Sequence, residues 1–139
     1  MKKIYNLLFL TLFAAMAFLF MSCLQNNKSK KSEESTMPYE QITQEDAKKM
    51  MDSEKDFIIL DVRTPEEFAS GHIKDAVNIP NETIFDKEST ELTDKSQLIL
   101  LYCRSGRRSK EAAKKLAKIG YTNIKEFGGI IDWKWDIIQ

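Results

Sequence analysis

The sequence predicts an α/β layered domain with a mainly parallel central sheet flanked by helices, and three observations carry that expectation. Residues 57–60 (Phe-Ile-Ile-Leu) and 98–102 (Leu-Ile-Leu-Leu-Tyr) are continuous apolar runs, the pattern of parallel strands covered on both faces. Helical patterns alternate with these runs, the element order of a layered α/β domain. Capping residues stand at the helix ends. Shorter strand candidates lie at 76–79 and 123–127.

Each helix has a local reason. Thr43 can cap a helix that runs through Met51, with Asp46 three positions on. Thr64, Pro65 and Glu67 occupy the cap, first-turn and third positions of a second helix, which Gly71 closes. A third helix carries Ala112, Ala113, Leu116, Ala117 and Ile119 on one face and ends at Gly120, a residue suited to the left-handed cap. In open parallel sheets the ligand site lies at the carboxyl ends of the strands. Asp61 and Cys103 both sit at such ends, so the two segments are expected to converge. No internal repeat is visible.

The run 98–102 delivers Cys103 into Arg104-Ser105-Gly106-Arg107-Arg108-Ser109 and then into the third helix. Backbone N–H groups in such a turn point inward, and the helix dipole adds positive potential at the same spot. A thiol placed there loses its proton readily and becomes a nucleophile. Three arginines in the next five positions make the turn a cradle for a small anion. A buried, inert cysteine would sit in an apolar pocket, which Gly106 and the arginines do not describe.

The chain has 139 residues and a formal net charge of +0. Residues 1–22 have the form of a secretory signal peptide: Lys2-Lys3 precede a mostly apolar stretch, 4–21, that ends at Ser22-Cys23. Phe20-Met21-Ser22-Cys23 resembles a bacterial lipobox, whose cysteine becomes the lipid-bearing first residue. The competing reading is an uncleaved anchor, since 18 residues approach a membrane span. The stretch 23–37 follows as a lipidated Cys23 and a polar tether, reaching about 20 Å as a flexible coil. The expected location is the cell envelope, lipid-anchored and facing the periplasm or exterior. Removing residues 1–22 takes away two lysines and no acid, which leaves 19 basic against 21 acidic side chains, a net of −2. That mild balance argues against nucleic acid as a partner. Lipidation would consume Cys23, leaving Cys103 without an intramolecular partner, and an unpaired cysteine in an exported protein calls for a reactive role.

Residues 103–109 resemble the active-site loop of rhodanese-family sulfurtransferases. Upstream, Leu60-Asp61-Val62-Arg63-Thr64-Pro65-Glu66-Glu67-Phe68, Gly71-His72-Ile73 and Ala76-Val77-Asn78-Ile79-Pro80 resemble the family's other signature. Gly128-Gly129-Ile130 with Trp133 resembles its closing segment. The similarity spans 38–139, one rhodanese-like domain. Asp75 stands where many relatives place glycine, a departure expected to affect the turn and not the chemistry.

The resemblance implies that Cys103 takes a sulfane sulfur from a thiosulfate-like anion, forming a persulfide that a thiol, cyanide or protein acceptor then removes. Backbone amides of 104–109 would hold thiolate and persulfide in the manner of an oxyanion hole. Arg108 matches the family's arginine and would fix the loop or the donor. Arg104 and Arg107 stand equally as ligands or as solvated charges. Ser105 and Ser109 either donate to the sulfur or cap the helix. Asp61, Arg63 and His72 are expected to orient rather than react, the Gly-His-Ile context marking a structural turn. Trp133 and Trp135 read as packing. One histidine and one free cysteine make no metal-ligand set, no cofactor is expected, and a monomer is. Two alternatives remain open: a non-catalytic persulfide carrier or binding module, and a phosphatase or arsenate reductase of related fold. The latter use Cys-x5-Arg loops, whereas Cys103 to Arg108 is Cys-x4-Arg.

Overall fold

The computed structural model describes residues 37–84 and 90–139; the signal-peptide, tether and Cys23 expectations lie outside them, apart from residue 37. The elements run β1 (Glu40–Gln41), α1 (Gln44–Ser53), β2 (Phe57–Asp61), α2 (Pro65–Ala69), β3 (His72–Ile73) and β4 (Ala76–Asn78), followed by a short 3₁₀ turn (Asn81–Thr83). Then come β5 (Leu98–Cys103), α3 (Arg107–Lys118), β6 (Ile124–Gly129), a second 3₁₀ turn (Ile130–Asp132) and β7 (Ile137–Ile138). Five strands form a parallel sheet in the order β1-β6-β5-β2-β4. The expected α/β architecture is present.

The apolar runs became the two central strands because both faces of each are covered. On β5, Ile99, Leu101 and Cys103 face a core shared with Leu60, Val62, Ala112, Ala113 and Leu116. Leu100 and Tyr102 face the other core, with Ile59, Ala47 and Phe127. The alternation is the two-residue period of a strand. It places α3 over the Cys103 face and α1 over the Tyr102 face. Leu60 and Leu101 are fully buried, and each such side chain stabilises the fold by about 1.5–3 kcal/mol.

The helix caps are the expected ones. Thr43 Oγ1 accepts from the Asp46 amide at 3.0 Å. Thr64 and Glu67 form a complete capping box at the start of α2, with Pro65 in its first turn. At the end of α3 the Gly120 amide bonds to Ala117 and the Tyr121 amide to Leu116, the paired closure of a Schellman motif. Asp75 takes a left-handed φ of 63°, a conformation that aspartate tolerates better than most residues.

Three strands have no counterpart in the sequence expectations. β1 edges the sheet beside β6, and β3 pairs antiparallel with β7 through His72–Ile138 and Ile73–Ile137. Each spans two residues, too short to display a hydrophobic period.

Candidate active site

Cys103 is the last residue of β5 and is 1% exposed. The register between β5 and β6 shifts between Leu101 and Cys103, an irregularity of the kind that re-aims side chains at sheet ends. Gly106 then turns the chain into α3 with φ +92°, and its N–H donates to Cys103 Sγ at 3.1 Å. No side chain caps α3. The amides of its first turn therefore lack intrahelical acceptors and remain available to an anion.

The closing segment supports this loop from behind. A Cβ on Gly129 would lie 2.3 Å from the Arg104 carbonyl oxygen and 2.5 Å from Ser105 Cα, so only glycine lets the two backbones approach. Ile131 N–H donates to the Arg104 carbonyl at 3.2 Å, and Gln44 Nε2 donates to the Gly129 carbonyl at 2.7 Å. Ser109, wholly buried, turns its hydroxyl to the Glu126 carboxylate at 2.6 Å, and the Gly128 amide donates to the same oxygen at 2.9 Å. Ser109 thus braces the loop against β6 instead of donating to the sulfur. Glu126 was not anticipated, although one signal pointed to it. It alternates with Ile124 on the buried face of β6, and an acid at a core position needs partners.

The three arginines are unequal. Arg108 donates from Nη1 and Nη2 to the two Glu67 oxygens, at 2.6 and 2.8 Å. That bond, with help from the Thr64 amide, holds the Glu67 carboxyl down at about 2, and the same pair raises the Arg108 guanidinium. Arg107 pairs with Glu111 at 2.9 Å on an open surface, its side chain 76% exposed. Arg104 is exposed and has no ion pair among the described residues. Of the three loop arginines, two are therefore compensated and one has no ion pair among the described residues. Ser105 is exposed beside it.

Asp61 and Arg63 do come to the sheet end that carries Cys103, but Asp61 lies on the opposite face. Asp61 registers with Tyr102, not Cys103. Its carboxylate receives Arg63 Nε and Nη2 at 2.6–3.0 Å, and Arg63 Nη2 also donates to the Gly71 carbonyl at 2.7 Å. Asn78 Nδ2 donates to the carbonyls of both Asp61 and Arg63. Burial pushes the Tyr102 phenol up, with the Asp61 carboxylate adding to it, while its oxygen accepts from the Ile73 amide at 3.2 Å. These groups clasp the α2–β3 turn to the sheet. His72 is engaged there too: Nδ1 lies 3.0 Å from the Phe68 carbonyl, and the ring stacks on Phe68 at 3.7 Å between centroids. Trp133 packs between Phe127 and Trp135.

A parallel sheet that ends in a cysteine at an uncapped helix N-terminus matches a known class over most of its length. The profile of the rhodanese-like domain matches residues 43–135, and the chain belongs to that family. It is 36% identical over 73 residues to the thiosulfate sulfurtransferase PspE of Escherichia coli K12, covering 52% of this chain and 70% of that protein. It is 38% identical over 88 residues to a sulfurtransferase of Allochromatium vinosum, covering 63% and 79%. Among solved structures, a rhodanese with anions from E. coli superposes with a TM-score of 0.55 at 31% identity, covering 60% of this chain and 98% of that one.

Proposed function

We propose that this protein is a sulfurtransferase that carries a sulfane sulfur on Cys103 between a thiosulfate-like donor and a thiophilic acceptor. The observation that carries the reading is the Gly106 N–H to Cys103 Sγ bond at 3.1 Å, beneath the uncapped start of α3. Such donors stabilise negative charge on sulfur before and after transfer. The Cys103 thiolate attacks the outer sulfur of thiosulfate. The S–S bond breaks and sulfite leaves with its electron pair, so Cys103 becomes a persulfide. An acceptor thiolate or cyanide then attacks the outer sulfur, and Cys103 departs as thiolate. The names of the two sulfurtransferases above support the reaction class.

The loop size supports sulfur over phosphorus. Cys103 to Arg108 is six residues, curled around an atom borne by the nucleophile itself. A phosphoryl or arsenate group brings further oxygens that need a longer loop. The test is intact mass of purified protein after thiosulfate, followed by cyanide. Wild type should gain one sulfur atom on Cys103, release it as thiocyanate and turn over repeatedly, whereas Cys103→Ser should do none of these while remaining folded. A single round without turnover would make it a carrier. Efficient aryl phosphate hydrolysis, with no sulfur gained on Cys103, would overturn the proposal.

The same reading includes export as a lipoprotein anchored through Cys23. Its support is the apolar stretch 4–21 ending at that cysteine and the polar segment after it.

A further inference from the structure

We propose that Glu67 is a positioning residue that aligns Arg108, in the first turn of the helix that follows Cys103, and offsets its charge, so that it sets how tightly the site holds an anionic donor. The inference rests on the sulfurtransferase reading for its substrate and on geometry for everything else. Glu67 makes three hydrogen bonds: Oε2 accepts from the Thr64 amide at 3.1 Å and from Arg108 Nη1 at 2.6 Å, and Oε1 accepts from Arg108 Nη2 at 2.8 Å. The capping box needs only the first, and a neutral glutamine would serve it as well. The two bonds to Arg108 reach across 41 positions of sequence and have no part in capping.

Their effect is geometric and electrostatic. The capping box fixes Glu67 on α2, and the two-pronged bond fixes the guanidinium plane in turn. Arg108 is only 17% exposed, and the Cys103 sulfur and Glu82 both act on its charge. A guanidinium has five N–H donors. Glu67 takes two, and the other three have no hydrogen-bond partner among the described residues. An arriving donor therefore meets an aligned guanidinium whose charge is already largely offset. Sulfur transfer from thiosulfate admits one anion and expels another, sulfite. A fully uncompensated arginine would hold both too firmly. Arg107 cannot play the same part, because its pair with Glu111 lies in open solvent where such pairs are screened.

The experiment compares Glu67→Gln, Glu67→Asp and Glu67→Ala with wild type, each checked for folding by circular dichroism. The first readout is the rate ratio for alkylation of Cys103 by iodoacetate over iodoacetamide at one pH. It reports local charge, and a merely structural defect would move both rates together. The second is KM against kcat for thiosulfate with cyanide. Glu67→Gln keeps the cap and one acceptor for Arg108 Nη1 but loses the charge and the second prong, so its alkylation ratio should rise about fivefold and KM should fall about as much, the size of one partly exposed charge pair. Glu67→Asp should restore the wild-type ratio. Glu67→Ala should lose kcat/KM, since Arg108 is no longer aligned. An unchanged ratio in Glu67→Gln would reduce Glu67 to a helix cap and overturn the proposal. A raised ratio, in a protein whose wild type never gains sulfur, would keep the charge device and sink the sulfurtransferase reading instead.

Discussion

The α-carbon of Gly129 packs against the Arg104 carbonyl so closely that a methyl group there would lie 2.3 Å from the oxygen. This contact presses the last residue of β6 against the loop that follows Cys103. It is backbone against backbone, so no side-chain rotation can relieve it. Gly129→Ala should therefore displace the Arg104–Gly106 segment and misplace the Gly106 N–H that reaches Sγ. Misplacing one donor of an anion hole reduces rate by on the order of 10²-fold or more, and overpacking costs about 1–3 kcal/mol. Kinetics of sulfur uptake and a thermal melt measure the two effects. Wild-type uptake in the variant would show that the loop does not depend on this contact.

Arg104 and Arg107 should separate on truncation. Arg107 is already paired with Glu111 and well exposed, so Arg107→Ala should change kcat/KM for thiosulfate by less than about twofold. Arg104 has no ion pair among the described residues, so its positive charge remains to act on an approaching anion. Arg104→Ala should raise KM about fivefold, by the loss of one surface charge, with kcat little changed. Equal effects of the two substitutions would refute the distinction.

The Glu67–Arg108 pair should be visible in acid unfolding. The folded Glu67 carboxyl is held at about 2, below its ordinary 4.5, chiefly by Arg108. A depressed carboxylate contributes stability that is full above 4.5 and is lost as pH falls toward 2. Chemical denaturation at several pH values across that window should show a steeper loss of stability in wild type than in Glu67→Gln. Parallel curves for the two proteins would remove Glu67 from the acid response.

Cys23 should carry a lipid. Two or more acyl chains give stable membrane attachment where one is marginal, so the protein should fractionate with membranes when expressed in a bacterial host. Cys23→Ser should prevent lipid attachment. Mass spectrometry of the wild type decides the matter: no lipid, or retention of residues 1–22, defeats this part of the proposal.

The sequence by itself determined whatever depends on near neighbours. The runs 57–60 and 98–102 could be read as buried strands because their periodicity is local. Thr43, Thr64 and Gly120 announced helix ends because a cap is a contact within a few residues. The Cys103–Ser109 turn was visible for the same reason, its amides and its nucleophile lying on one short stretch of chain.

Tertiary structure decided which of those groups meet. Asp61 and Cys103 both end strands, yet pairing of Asp61 with Tyr102 sends it to the opposite face from the thiol, because side chains alternate along a strand. Ser109, open in sequence to the sulfur or to a capping role, bonds to Glu126, and Arg108 bonds to Glu67, since both acids arrive from elements distant in sequence. Two-residue strands such as β3 and β7 exist only through their pairing. Local sequence could place the nucleophile at a helix start; only packing could show that two of the three loop arginines already had partners, because a charge's effect depends on what lies across space from it.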